Sequence, residues 1–542
     1  MDMRIPLGAT FAALLILPLG VLYMNNTALT PPDFGPVAQQ PAPAAPVPMA
    51  ESMLVDAATQ RIGVIPMRTQ EYGTMPAGGD RFTAFDDNGV MLVADDPVST
   101  FSIDVDTAAY AYVRRMLDMG QLPPPDAVRV EELINYFSYD YAAPQGGVPF
   151  ETSLAVSPSP WNAENRLIQI GIQGEDMALD TVPPANLVLL IDTSGSMDAP
   201  DKLPLLKRAF TLLVNEMGPQ DTISIVTYAG SAGVVLEPTP AGEKAKILAA
   251  LEDLAPGGST AGAQGIEAAY RLAEQAMIAG GTNRVLLATD GDFNVGLSDP
   301  EALEDLIEAK RDRGIFLSVL GFGTGNYHDS VMQALAQAGN GNAAYIDSYS
   351  EARKVLVEEL GGTLVTIAKD VKIQVEFNPA TVSEYRLIGY ETRVLDREDF
   401  NNDAVDAGDI GAGHSVTALY EITPVGARGA VDPLRYGEAV AAGGGSLDEY
   451  GFLKLRYKAP DGDVSTLIET PMLVEGEDSI ARADADFATA VAAFGQKLKG
   501  SPYLRAMEWA DIRALAEAGR GSDPTGRRAE FIRLVDMAAS LN

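Results

Sequence analysis

The residues best suited to do chemistry in this chain lie in three short segments rich in oxygen. They are Asp192-Thr193-Ser194-Gly195-Ser196, Pro256-Gly257-Gly258-Ser259-Thr260 and Asp290-Gly291-Asp292. Serine and threonine hydroxyls are short, neutral oxygen donors. Two carboxylates add charge without filling a coordination shell. That donor set suits a small, hard cation such as Mg²⁺, which takes oxygen ligands in an octahedron at about 2.0–2.1 Å and keeps several waters. A shell left under-filled has room for a carboxylate from another molecule. Alone, an Asp-x-Ser-x-Ser motif is a weak signal, because Asp and Ser also cap helices, and Ser196 could be one such cap.

The elements around these segments strengthen the reading. From Asn186 to Gly361 the pattern alternates strand and helix. Strands are expected at Asn186–Ile191, Thr222–Thr227, Val234–Glu237, Arg284–Thr289, Ile315–Leu320 and Ala344–Ile346. Helices are expected at Lys202–Glu216, Gln264–Ala279, Pro300–Arg313 and Ser350–Leu360. Leu187–Ile191 and Val285–Ala288 are apolar throughout, as strands buried on both faces are, which predicts a mostly parallel sheet covered by helices. The first of these strands ends in Asp192 and the later one in Asp290, so both carboxylates fall at the carboxyl ends of strands, where open α/β sheets bind ligands.

Asp192-x-Ser194-x-Ser196, Thr260 and Asp290 resemble the metal-ion-dependent adhesion site of the von Willebrand factor type A fold, over the whole Asn186–Gly361 segment. The resemblance implies a doubly wound, Rossmann-like sheet and one bound divalent ion, Mg²⁺ or else Mn²⁺ or Ca²⁺. It also implies that Ser194, Ser196 and Thr260 stand nearest the metal, with Asp192 and Asp290 often acting through water. A wider resemblance rests on Phe101-Ser102-Ile103-Asp104-Val105-Asp106-Thr107, on Val130-Glu131-Glu132 with Asn135-Tyr136-Phe137, and on Gly413–Tyr420. These are similar to the YfbK-type bacterial exported proteins, which join an N-terminal unit, an A domain and a C-terminal domain of unknown function. Members are often lipoproteins, and this chain has no Cys for such an anchor.

Around the α/β segment the pattern differs. Val371, Ile373, Val375 and Phe377 alternate with polar residues, as do Val416, Ala418, Tyr420 and Ile422. That period of two predicts antiparallel strands. Leu154 and Val156, with Ile168, Ile170 and Ile172, are expected to join the same β-sandwich, so the α/β domain would be inserted into it. The fold class expected is therefore α/β plus all-β with flanking helices. The expected order is 1–29 signal peptide or membrane anchor, 30–96 Pro/Ala-rich linker and weakly patterned segment, and 97–145 helical unit. There follow 150–182 first sandwich strands, 183–362 A domain, 363–476 β-sandwich and 477–542 C-terminal helices.

Composition narrows the function classes. The 542 residues carry 39 Lys and Arg against 75 Asp and Glu, a formal charge of -36. Such a surface repels phosphate backbones, so nucleic acid is not an expected partner. With no Cys, thiolate chemistry is excluded, and with only His328 and His414 a multi-histidine metal site or a Ser-His-Asp triad has almost nothing to draw on. Residues 5–24 are uncharged and apolar and follow Arg4. No good cleavage site follows, which favours an uncleaved anchor over a cleaved signal peptide; with either, the remainder is expected to be exported, periplasmic or on the cell surface.

Other motifs have plainer explanations. Asp104-x-Asp106 resembles a phosphatase nucleophile motif but is expected to cap the next helix. Gly321-x-Gly323-x-Gly325 has the wrong spacing for a dinucleotide loop and reads as a tight turn. Asp399-x-Asn401-x-Asp403 lacks the Gly and Glu of a calcium loop. His414 is expected to be a hydrogen-bonded structural residue and His328 a surface or capping one. Phe137, Tyr139, Tyr141 and Trp161 are expected to pack the N-terminal unit on the β-domain. The function expected is a metal-dependent module that captures an exposed Asp or Glu of a protein partner. The competing readings are a metal-dependent hydrolase or phosphatase using Asp104 and Asp106, and a structural scaffold in the envelope.

Overall fold

The computed structural model describes residues 79–177, 182–229, 231–258, 262–291, 300–432, 446–475 and 478–542. The expected anchor at 5–24 and most of the expected linker lie outside them. Among the described residues no helix is long and apolar enough to cross a membrane.

Strands β1 (Met91–Leu92) and β2 (Val98–Ser102) precede helices α1 (Ala108–Asp118) and α2 (Val130–Asn135). A hairpin follows, β3 (Phe150–Pro158) with β4 (Arg166–Gly174). The α/β segment then runs β5 (Ala185–Asp192), α3 (Leu203–Glu216), β6 (Thr222–Tyr228), β7 (Ala232–Pro240), α4 (Lys244–Glu252), α5 (Gly262–Gln275) and β8 (Thr282–Thr289). It continues through α6 (Pro300–Arg311), β9 (Phe316–Phe322), α7 (Asp329–Ala338), β10 (Ala343–Ile346), α8 (Tyr349–Arg353) and α9 (Leu360–Leu364). The single helix expected over Ser350–Leu360 is broken by a π-helical turn at Lys354–Glu358.

The six strands of this segment lie in the order β10-β9-β8-β5-β6-β7. All neighbours are parallel except β6 and β7. Every residue of β5 and β8 is buried. Leu187, Leu189 and Ile191 point into a core with α3, while Val188 and Leu190 point into a second core with α5. This alternation is the reason for the uninterrupted apolar run: both faces of the strand are covered. Strand order reverses between β5 and β8, since β6 and β7 lie on one side of β5 and the later strands on the other. The ends of β5 and β8 thus form the crevice that an open α/β sheet offers a ligand.

The α/β segment is inserted between β4 and β11 (Thr366–Phe377), and the chain then adds β12 (Val382–Ile388), β13 (Ile410–Gly411), β14 (Ser415–Pro424), β15 (Glu449–Lys458) and β16 (Ser465–Leu473). One antiparallel sheet runs β1-β12-β14-β4-β3, and a second runs β13-β11-β15-β16 with β2 also on β11. Ile168, Ile170 and Ile172 of the first share one core with Ile373, Val375 and Leu453 of the second. Helices α10 (Arg482–Lys499), α11 (Trp509–Ala518) and α12 (Arg527–Leu541) end the chain. They share a core with α1 and α2: Tyr110, Leu133 and Phe137 pack with Phe487, Phe494 and Phe531. Tyr139, Tyr141 and Trp161 belong to the same core. The opposite side of α1, through Ala108, Ala111 and Tyr112, joins the α/β core.

Candidate metal centre

Asp192 closes β5 and is fully buried. Its Oδ1 accepts the backbone N–H of Ser194 at 2.8 Å, which folds the chain back just past the strand. The turn sets Ser194 Oγ and Ser196 Oγ 3.0 Å apart. Two backbone hydrogen bonds bring in the second segment: Gly257 donates to the Thr193 carbonyl at 2.7 Å, and Gly195 to that of Gly258 at 3.2 Å. Ser194 is buried and Ser196 exposed, so the loop opens outward at its far end. Thr260 and Asp292 lie outside the described residues.

From β8 comes Thr289, whose hydroxyl lies 3.4 Å from Asp192 Oδ2 and accepts the Gly291 N–H at 3.1 Å. Asp290 is fully buried, and its Oδ2 accepts a hydrogen bond from Lys202 Nζ at 2.8 Å. The structure therefore brings together Asp192, Ser194, Ser196 and Asp290. Burial pushes the Asp192 carboxyl up to about 6; the backbone N–H and hydroxyl of Ser194 oppose the rise and the charge of Asp290 adds to it. A buried carboxylate pair of this kind favours any added positive charge.

The donors present fit a hard cation. Two oxygens in adjacent corners of an octahedron with bonds of 2.0–2.1 Å stand about 2.9 Å apart, which is close to the spacing of Ser194 Oγ and Ser196 Oγ. Lys202 shows that the pocket already accepts a positive charge against Asp290. Sequence reasoning missed Lys202, treating it only as the start of a helix. The one available signal was that it is the first cationic residue after Asp192.

Gly291 fixes the backbone beside Asp290. Its φ is +95°, and a Cβ there would lie 2.5 Å from Tyr327 Cα and 2.6 Å from the Asn326 carbonyl oxygen. Neither backbone atom can yield cheaply. Gly291→Ala is expected to destabilise the chain by roughly 1–3 kcal/mol, read as a lower urea midpoint. An unchanged midpoint would contradict this packing.

The remaining candidates do not form sites. Asp104 and Asp106 do not cap α1. Both are buried and paired with Arg393, at 3.0 Å and 3.2 Å, and Asp106 also accepts the Ala343 N–H at 2.8 Å. The free N–H of Ala109 in the first turn of α1 goes instead to Glu132 Oε2 at 2.7 Å. Asp403 is held by Arg456 and Ser465. Gly323 and Gly325 turn the chain after β9 with φ of +71° and +100°. His414 is a half-buried structural residue packed against Gly362, but its Nδ1 has no hydrogen-bond partner among the described residues, so its ring is not fully hydrogen-bonded, contrary to expectation. His328 stands at the N-cap position of α7 without a side-chain cap.

Residues 186–358 match the von Willebrand factor type A domain, which defines the class: a protein that carries a von Willebrand factor A domain, a fold known to hold a divalent cation. Residues 76–169 match a second model described as von Willebrand factor, and residues 362–541 match the C-terminal region of uncharacterized protein YfbK. Uncharacterized protein YfbK of Escherichia coli (strain K12) is 48% identical over 470 residues, covering 85% of this chain and 81% of that one. The chain belongs to the YfbK family. Among solved structures, a von Willebrand factor type A protein from Catenulispora acidiphila is 17% identical, covering 71% of this chain and 89% of that one, with a TM-score of 0.39. Proximal thread matrix protein 1 from the mussel byssus, with a zinc-occupied MIDAS motif, is 24% identical, covering 35% and 46%, with a TM-score of 0.28.

Proposed function

We propose that this chain is an exported binding module whose β5/β8 loops hold one Mg²⁺ and capture an exposed Asp or Glu of a protein partner. The observation that carries this is the convergence of Asp192, Ser194, Ser196 and Asp290 at the point where strand order reverses. When bound, the cation supplies an open coordination position for a carboxylate oxygen. The serine hydroxyls contribute oxygens without charge, so only the two aspartates offset the charge of the cation. Ser196 is exposed, so a partner could reach this end of the loop. Without such a cation, a chain of net charge -36 would repel an acidic partner. Export rests on the apolar run at 5–24, which would tether the folded part to a membrane. The phosphatase alternative has no support at Asp104 and Asp106, whose carboxylates are tied to Arg393.

The test is thermal melting of the full chain in Mg²⁺ and in EDTA, with the Ser194→Ala/Ser196→Ala variant alongside. A ligand of the native state at a hundredfold excess over Kd adds about 2.7 kcal/mol, so Mg²⁺ should raise the wild-type melting temperature measurably. The double variant should lose that gain and melt like wild type in EDTA. Melting of the wild type that is indifferent to Mg²⁺ and Mn²⁺ would overturn the reading.

A further inference from the structure

Lys202 precedes α3 and is buried, which is rare for a lysine unless it is paired. Its ammonium lies on Asp290 at 2.8 Å. Its stem lies in a slot made by the absence of a side chain: a Cβ on Gly323 would stand 2.4 Å from Lys202 Cε and 2.5 Å from its Cγ. The floor of that slot is fixed, because Tyr345 donates its hydroxyl to the Gly323 carbonyl at 2.6 Å. The residue before it, Asp201, is gripped by Arg115 of α1. A lysine seated in this way is built into the site and is not a mobile surface cation.

We infer that Lys202 is an internal counter-cation of the metal centre, which neutralises Asp290 in the cation-free protein and must be displaced when a divalent ion loads. This inference rests on the cation reading above and adds what regulates it. An ammonium and a dication sharing one carboxylate at Mg²⁺ bond lengths lie within about 5 Å, where their repulsion exceeds thermal energy many-fold even at an effective dielectric of 20. Loading is then an exchange of one positive charge for two. Lys202 raises the divalent concentration the site needs, and in the empty state it keeps two buried carboxylates from repelling each other.

The experiment is calorimetric titration of Mg²⁺ into the full chain and into Lys202→Met, with melting of both in EDTA. Lys202→Met should bind Mg²⁺ at least about tenfold more tightly, since it removes a repulsive charge, and should melt lower in EDTA, because the buried Asp290 loses the ammonium at 2.8 Å. Lys202→Arg, which keeps the charge, should not tighten binding. If wild type binds Mg²⁺ and Lys202→Met binds it equally or less well, the inference is overturned while the cation reading stands. If neither protein binds Mg²⁺ or Mn²⁺, the cation reading itself falls, and this inference with it. Should Lys202→Met fail to fold, Lys202→Gln takes its place under the same outcomes.

Discussion

Arg114→Met is expected to destabilise the chain by about 3–5 kcal/mol, the range for breaking a buried ion pair by removing one partner. Arg114 lies on α1 with its side chain only 5% exposed. Its Nε donates to Asp347 Oδ2 at 2.8 Å, its Nη2 to Glu351 Oε2 at 2.7 Å, and its Nη1 to the Tyr136 hydroxyl at 2.8 Å and to Glu530 at 3.3 Å. Asp347 follows β10, Glu351 lies on α8 and Glu530 on α12. One guanidinium thus joins the α/β layer to both sets of terminal helices. Methionine fills much the same volume but leaves two buried carboxylates, 6% and 1% exposed, without the guanidinium, and only Glu351 keeps a second cation nearby, Lys354. Lysine should rescue little, because a point charge cannot reproduce the planar fork on Asp347. Adding Glu351→Gln should recover part of the loss, since it removes one of the stranded charges. Urea unfolding of the four proteins reads this directly. A midpoint shift for Arg114→Met worth less than about 1 kcal/mol would mean that the carboxylates find other partners, and the proposed keystone would be wrong.

The contrast between this network and the metal centre explains what could be read from the sequence. The carboxylates at the ends of β5 and β8 were legible because each follows an apolar run, and strand ends in such sheets have a fixed place. Asp192, Ser194 and Ser196 are neighbours in sequence, so their geometry follows from one turn. The Val234–Glu237 strand was legible only in its middle, because β7 is an edge strand and its buried residues are sparse. Lys202 on Asp290, Glu132 at the start of α1 and Arg393 on Asp104 are contacts between residues distant in sequence, and no local period announces them. For the same reason the sequence placed Asp104 and Asp106 as caps of the nearest helix, while the structure gives that place to Glu132 of the next one. The shared core of α1, α2 and α10–α12 was hidden too: Tyr110, Phe137, Phe487 and Phe531 meet in it from segments far apart in sequence, and an apolar helix face does not name its partner.

The buried acids also make stability depend on pH, and Glu131 shows how. It sits in the first turn of α2, fully buried, and neither carboxylate oxygen receives a well-formed hydrogen bond. Burial pushes its carboxyl up to about 7, and the nearby charges of Glu391 and Asp104 push the same way; the backbone N–H groups of Tyr390 and Glu131 offset only part. The ordinary value is 4.5. Between 4.5 and about 7 the folded chain holds a proton on Glu131 that the unfolded chain has released. Raising the pH through that window therefore removes stability, by about 1.4 kcal/mol per unit for an ideal single group. Above it the folded state carries a buried, uncompensated charge. Glu131→Gln mimics the protonated carboxyl at every pH. It should be nearly neutral at pH 4.5 and should stabilise the chain by roughly 2–3 kcal/mol at pH 8, seen as a urea midpoint that rises relative to wild type as pH increases. An effect equal at both pH values would show that the substitution acts through packing against Gly389, where a Cβ would already stand 2.8 Å from Glu131 Oε2, and that Glu131 carries no displaced proton.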